Sequence, residues 1–268
     1  MNRVDTYKPQ TLSIRVSTDG FCFSCYSADE PESLQYFYSN SDNDISLTAN
    51  FEKAWNDCPL STQKQFAKVQ VIIETGDFGI LPAEYDTAED YDNFYYSCFP
   101  HLRGISKVVY NRMNAQGITV LFAVESTLYE RLRRIGDITF YTPVSILLGY
   151  VARYRQETER YLLAYFHNKK SLLLSIDNNR LQLANSFASR EPHDQLFYLL
   201  SIWNEQNLSQ TEDMLILCGD KTVEELTPLI SQFIRRHKRI NPNEEFRSTL
   251  LNKIKDIPFD LQALILCE

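Results

Sequence analysis

The first place where this chain could do chemistry is an acidic residue next to a glycine, between two predicted strands. Asp19 and Gly20 follow an alternating apolar and polar run over residues 12–18 (LSIRVST). Backbone N–H groups of a glycine-containing turn can cradle a phosphate, and a neighbouring carboxylate can hold Mg²⁺. The same dipeptide also marks two-residue β-hairpins, which require positive backbone φ angles. We favour the hairpin interpretation and predict positive φ angles at this dipeptide.

Glycine is scarce in this chain, and its spacing matches no phosphate-binding motif. The eight glycines fall at positions 20, 76, 79, 104, 117, 136, 149 and 219, and none forms a GxGxxG or GxxxxGK pattern. The second candidate turn, residues 167–170 (HNKK), has neither glycine nor carboxylate. Lys169, Lys170 and a helix start at Thr222 could still form a residual anion site. ATP hydrolysis is therefore disfavoured by the sequence.

Cysteine and histidine give no strong catalytic or metal-binding pattern. Cys22 and Cys25 have the spacing of half a zinc site, but the second half is missing, and on a strand the two thiols face opposite sides. We predict that both pack in the core. The four histidines are far apart in sequence and are expected at the surface, and His167 is the one closest to a candidate turn. No residue is predicted to be catalytic or to bind a metal.

Charge and hydropathy limit the partners that the chain can have. The formal net charge is −8 and the sequence pI is near 5.1, which disfavours nucleic acid. Acidic residues cluster at 84–92 and basic ones at 235–239, and we interpret each cluster as part of a helix end. The longest apolar run, residues 143–152, is half the length of about 20 residues that a membrane span needs. With a polar amino terminus, these features predict a cytoplasmic protein.

The elements that must position these residues occur twice. Residues 12–39 and 161–187 each read as three short strands, and in each half a helix and then an apolar strand follow. The apolar strands are predicted at 69–74 and 214–218. Between the repeats, residues 76–135 read as an insertion with two paired strands. A helix over 223–236 is predicted to start with a capping box of Thr222 and Glu225.

Four short segments of this pattern resemble a bacterial family of uncharacterised proteins with an actin-like ATPase fold. They are residues 12–21 (LSIRVSTDGF), 80–82 (ILP), 141–143 (YTP) and 215–219 (LILCG). The order of elements also resembles the pilus-assembly and cell-division relatives of actin and the cytoplasmic domain of a type II secretion scaffold. The resemblance implies a duplicated α/β, ribonuclease H-like fold with two βββαβα halves, and a nucleotide site between them.

Active members of this superfamily carry an acidic residue, a glycine and a hydroxyl residue in each hairpin turn, and paired glycines on the adenosine side. Here Phe21 stands where the hydroxyl is expected, and the adenosine-side loop reads Gly219-Asp220-Lys221. By this resemblance, Asp19, Gly20 and Gly219 are the remaining, vestigial positions of a nucleotide site.

These observations lead to one preferred function and two alternatives. We predict a first half over residues 1–158, enlarged at 76–135, and a second half over 159–268. The preferred function is a non-catalytic, cofactor-free module that binds another protein, with no nucleic acid and no membrane insertion. The alternatives are a working ATPase that binds ATP and Mg²⁺, and a sugar-kinase-like phosphotransferase, for which no general base is apparent.

Overall fold

A computed structural model describes residues 9–27, 30–63, 65–87, 90–154, 160–189, 191–245 and 257–266. The strands are β1 Thr11–Val16, β2 Gly20–Ser27, β3 Glu30–Asn40, β4 Lys68–Ile73, β5 Phe78–Pro82, β6 Ser106–Met113, β7 Ile118–Glu125, β8 Ile138–Tyr141, β9 Arg160–His167, β10 Lys170–Asp177, β11 Arg180–Ala188, β12 Met214–Gly219 and β13 His237–Arg239. The helices are α1 Leu47–Asp57, α2 Tyr91–Cys98, α3 Ser126–Arg133, α4 Pro143–Tyr154, α5 Pro192–Glu205, α6 Thr222–Ile230, α7 Pro242–Glu245 and α8 Phe259–Leu266.

Two five-stranded sheets repeat one topology. The first sheet has the order β3-β2-β1-β4-β8 and the second has the order β11-β10-β9-β12-β13. In both, the three-strand meander is antiparallel and the remaining strands run parallel to its first strand. Leu12 pairs with Val69 in the first sheet, and Leu162 pairs with Leu215 in the second. The predicted repetition of strands is confirmed at the level of hydrogen-bonded pairing.

The two sheets enclose a central helical layer formed by α4 and α8. One apolar core joins these two helices to the inner faces of both sheets, through side chains such as Leu147, Tyr165 and Leu261. On the outer face of the first sheet, α1 and α3 pack over Leu12, Ile14 and Val16. On the outer face of the second sheet, α5 and α6 pack in the same way. Each sheet is therefore buried on both faces.

A small third sheet lies between β4 and β8 in the chain. It has the order β5-β7-β6 and is antiparallel throughout. Strands β6 and β7 are the pair that the sequence predicts within residues 76–135, and α2 packs on this sheet through Tyr95 and Tyr96. Strand β5 is an outer strand of the sheet, and it ends at Pro82.

Several local predictions are wrong. Neither Asp19 nor Gly20 has a positive φ angle. Gly20 is needed instead because a Cβ there would lie 2.4 Å from the Ser39 carbonyl oxygen of β3. Thr222 and Glu225 form no capping box, because Lys221 is the N-cap and Thr222 is already the first residue of α6.

The basic run at 235–239 is not a helix end. Helix α6 already ends at Ile230 and contains Pro228. Residues 237–239 instead form β13, parallel to β12 at the edge of the second sheet. Lysine and arginine on an exposed edge strand discourage pairing with other chains, which gives these charges a structural role.

Candidate functional site

The candidate site is the cleft between two hairpins, one from each five-stranded sheet. The β1–β2 hairpin turns at residues 17–20, and the β9–β10 hairpin turns at residues 167–170. In the first turn the Ser17 N–H donates to the Gly20 carbonyl oxygen at 3.0 Å, and the Ser17 hydroxyl donates to the same oxygen at 2.8 Å. Phe21 points away from the cleft into the outer core, where its ring lies 5.8 Å from that of Phe51.

The second hairpin has the positive φ angles that the sequence suggested for the first. Asn168 and Lys169 have φ angles of 46° and 60°. Two consecutive positive φ angles are typical of a type I′ turn, and asparagine tolerates them better than most residues. A glycine-free sequence therefore still forms a two-residue hairpin here.

The Asp220 carboxylate accepts hydrogen bonds from backbone N–H groups beside this second turn. Its Oδ2 accepts from the Asn168 N–H and its Oδ1 accepts from the Thr222 N–H, both at 2.9 Å. Gly219 allows this approach, because it has a φ of 127° and a Cβ would lie 1.9 Å from the Phe166 carbonyl oxygen. These N–H groups lie at a hairpin turn and at the start of α6, where an anion would be bound. A carboxylate of the chain itself fills that position.

Lys170 crosses the cleft from the second hairpin to the first sheet. Its Nζ lies 3.3 Å from Glu74 Oε2 and donates to Thr18 Oγ1 at 3.2 Å. His167 lies at the same level, with Nε2 3.9 Å from Asp19 Oδ2. Of the three positions predicted for a residual anion site, Lys170 is thus bonded to Glu74 and the Thr222 N–H to Asp220, whereas Lys169 is exposed at the turn.

Beneath these contacts lies a fully buried ion pair between β1 and the last helix described. The Arg15 Nε donates to both Asp260 oxygens, at 3.0 and 2.9 Å, and the two side chains are 1% and 0% exposed. Arg15 Nη2 also lies 3.8 Å from Glu74 Oε1. Burial alone would lower the pKa of Arg15, but Asp260, Tyr165 and Glu74 hold it well above its ordinary value.

The acidic and basic groups at the cleft have shifted pKa values for identifiable reasons. Burial would raise the pKa of Asp19, but the Ser17 side chain, His167 and Arg15 hold it below its ordinary value. The pKa of His167 is lowered by burial and by the nearby Arg15 guanidinium. Burial raises the pKa of Tyr165, whose ring stacks on His167 with 6.2 Å between centroids. The site therefore holds a neutral imidazole beside an ionised carboxylate.

The cavity beside the second hairpin is too small for a nucleotide. A cavity of about 20 Å³ lies among Glu74, Tyr165, His167 and Lys170. One water needs roughly 10–15 Å³, whereas small-molecule pockets occupy about 300–1,000 Å³. The residues present do not fit ATP with Mg²⁺ either, because the N–H groups and the lysine that would bind phosphate are bonded to Asp220 and Glu74.

The structure places the three predicted positions on both sides of this cleft. Asp19 and Gly20 lie in the first hairpin. Gly219 is at the end of β12 and pairs with Phe166 of β9, the strand that leads into the second hairpin. Sequence reasoning missed Arg15, Glu74 and Asp260. The alternation over residues 12–18 predicts a half-buried strand with Arg15 on its polar face, yet that face is buried against the central layer. The partner of Arg15 could have been suspected from Asp260, which is an aspartate in the otherwise apolar segment of α8.

The other candidates are placed as follows. Cys22 and Cys25 lie on opposite faces of β2, in the central and outer cores, as strand geometry predicts. His101 and His193 are exposed, whereas His167 is largely buried, which corrects the expectation of a surface residue. Among the residues that the structure describes, no helix is long and apolar enough to span a membrane.

Comparison with known proteins defines the class and then the family. A Bacteroides thetaiotaomicron protein with an actin-like ATPase fold and unknown function matches with a TM-score of 0.82 and 26% identity, covering 100% of both chains. A chain of the PilM–PilN complex of type IV pilus biogenesis matches with a TM-score of 0.58 and 12% identity, covering 96% of this chain and 97% of that one. The protein therefore has an actin-like ATPase fold.

The family is given by a sequence model that matches residues 2–236. The chain belongs to the family described as protein of unknown function DUF3822. None of the curated proteins matches the sequence significantly.

Proposed function

We propose that this protein is a non-catalytic, cytoplasmic interaction module built on an actin-like fold whose nucleotide site has been replaced by internal contacts. The observation that carries the proposal is Asp220, whose two carboxylate oxygens accept from the N–H groups of Asn168 and Thr222. A phosphate at this turn would have to displace a covalently attached anion. In that role the module needs no cofactor.

The contacts across the cleft support the same proposal. A nucleotide-binding site of this kind needs an open cleft. Here Lys170 instead bonds to Thr18 and Glu74 across the cleft. The Arg15–Asp260 pair then fixes α8 against β1. A cleft held by bonds between its two walls is suited to keep the outer surfaces in one arrangement, as a docking module requires.

A protein partner is favoured over other partners by charge and by analogy. The formal net charge of −8 disfavours nucleic acid. The PilM–PilN complex contains a chain of this fold within a protein assembly, which supports an interaction role here.

Thermal unfolding with and without Mg·ATP and Mg·ADP tests the proposal. A ligand present at about 100 times its dissociation constant stabilises a protein by roughly 2.7 kcal/mol, which raises Tm by several degrees at this size. We expect no change in Tm and no release of phosphate. A rise in Tm that the Asp19→Ala variant abolishes would establish instead the alternative of a working nucleotide site.

A further inference from the structure

The outer strand of the third sheet borders a groove in the surface. The groove has a volume of about 630 Å³ and is lined by β5, by the start of α2 and by Tyr85, Thr87 and Asp90. Its apolar lining comes from Ile80, Leu81, Tyr91 and Phe94, which are partly buried, and from Tyr85, which is 65% exposed. An exposed aromatic beside a concave apolar surface is typical of a protein-binding site.

The backbone of β5 adds hydrogen-bonding capacity to this groove. Within the described ranges, β5 pairs only with β7. The Ala83 N–H donates to the Gly117 carbonyl at 2.8 Å. Because every second residue of an antiparallel strand bonds to the same neighbouring strand, Gly79 and Leu81 also bond to β7. The N–H and carbonyl of Ile80 then point to the open side. The backbone nitrogen of Pro82 also faces the open side, so the N–H that proline lacks removes no hydrogen bond to β7.

The charges around the groove define which partner fits. Asp90 lines the groove, and Glu84 and Asp92, each next in sequence to a lining residue, are exposed. Arg112, which lies against Tyr91, is already bonded to Asp86 at 3.3 Å. The rim is therefore negative overall, and it surrounds an apolar floor beside an open strand.

We propose that this groove binds an extended, basic segment of a partner protein, which adds as a strand to β5. Main-chain bonds to Ile80 give affinity, alternate apolar side chains fill the groove, and lysines or arginines face Glu84, Asp90 and Asp92. This inference rests on the proposed interaction role, and it names the surface and the chemistry of the partner.

A labelled model peptide tests the groove directly. The probe is fluorescein-labelled Lys-Val-Lys-Ile-Lys-Val-Lys, and the matched control peptide carries glutamate in place of each lysine. Fluorescence anisotropy should show micromolar binding of the basic peptide and at least about tenfold weaker binding of the acidic one. Absence of binding at about 1 mM, or equal binding of the two peptides, would overturn the proposal.

Two sets of exposed substitutions locate the binding site. The groove variant is Glu84→Lys, Asp90→Lys and Asp92→Lys. The control variant is Asp57→Lys, Glu205→Lys and Glu212→Lys, which changes the net charge equally at exposed sites elsewhere. The groove variant, and Tyr85→Ala separately, should bind at least about tenfold more weakly than the control variant. Equal losses in groove and control variants would contradict a site at β5.

Backbone methylation of the peptide tests strand addition. One peptide is N-methylated on its apolar residues and another on its lysines, so that only one of the two loses the donors that face β5. One peptide should lose binding and the other should keep it, whereas retained binding of both would exclude a strand. Failure here leaves the nucleotide experiment unaffected, so the two proposals fail separately.

Discussion

Arg15 and Asp260 lie 245 positions apart in sequence and form a buried ion pair, with the Arg15 Nε bonded to both carboxylate oxygens. The pair joins the first strand of the first sheet to α8 in the central layer. Because α8 also packs on α4 against the second sheet, this one contact links the elements on both sides of the cleft.

Removing one partner of this pair should be strongly destabilising. Asp260→Ala leaves the Arg15 guanidinium buried without its principal counter-charge, and a loss of about 3–5 kcal/mol in the free energy of unfolding is expected. Urea unfolding measures this change. The exposed pair of Arg133 and Asp137 is the control, because Asp137 is fully exposed and Asp137→Asn should hardly change the free energy of unfolding. Similar costs for the two substitutions would contradict the structural role assigned to Arg15 and Asp260.

Asp220 should behave as an internal substitute for a bound anion. Asp220→Ala frees the N–H groups of Asn168 and Thr222, so the variant should lose about 1–3 kcal/mol of stability. Sulfate or phosphate should then raise the Tm of the variant more than that of the wild type, because only the variant offers open donors. An equal response of both proteins to sulfate would show that Asp220 does not fill an anion position.

The lowered pKa of His167 predicts a pH dependence of stability. The unfolded chain takes up a proton at His167 near pH 6.5, whereas the folded protein takes it up only at lower pH. Stability contributed by the neutral imidazole is therefore complete above about pH 6.5 and is lost as the pH falls through that value towards the folded pKa. Protonation in the fold is opposed by burial and by Arg15, and is favoured by Asp260, Glu74 and Asp19.

Urea unfolding between about pH 7.5 and pH 5.5 measures the effect in wild type and in two variants. His167→Gln should remove most of the decline, whereas His193→Gln, at an exposed position, should retain it. Asp19 does not interfere, because its lowered pKa places its own loss of stability below its ordinary value of 3.8. A decline that persists in His167→Gln would exclude His167 as its source.

The two glycines beside the hairpins should not tolerate a side chain. In Gly219→Ala the Cβ would meet the Phe166 backbone at 1.9 Å with φ at 127°, and in Gly20→Ala it would meet Ser39 O at 2.4 Å. Each substitution should cost at least about 2 kcal/mol, measured as a lower Tm. Gly76→Ala is the control, since its Cβ would have only an ordinary contact at 3.5 Å. A tolerated Gly219→Ala would contradict the tight approach of β12 to β9.

The fold was predictable because its signals are local. Alternating residues in β1, the turn residues after it and the apolar run of β4 each specify an element, and their recurrence near residues 161 and 214 reveals the duplication. The contacts that close the cleft were not predictable, because Arg15, Lys170 and Asp260 come from distant segments. A lone arginine in a strand has the same local pattern whether it faces water or a buried aspartate.

The sequence also did not predict which turn residues have positive φ angles. The sequence pointed to Asp19 and Gly20 for positive φ angles, and the structure has them at Asn168 and Lys169. A glycine can be required by close approach of another strand as well as by φ, and only the neighbouring strand β3 distinguishes the two causes at Gly20.

Amide hydrogen exchange at the Asn168 N–H, with and without millimolar Mg·ATP, tests the closed cleft most directly. Because this N–H donates to Asp220, exchange should be slow without nucleotide, should become faster in Asp220→Ala, and should not change when Mg·ATP is added to the wild type. Fast exchange in the free protein that Mg·ATP slows would show an open phosphate-binding turn, and would contradict the account.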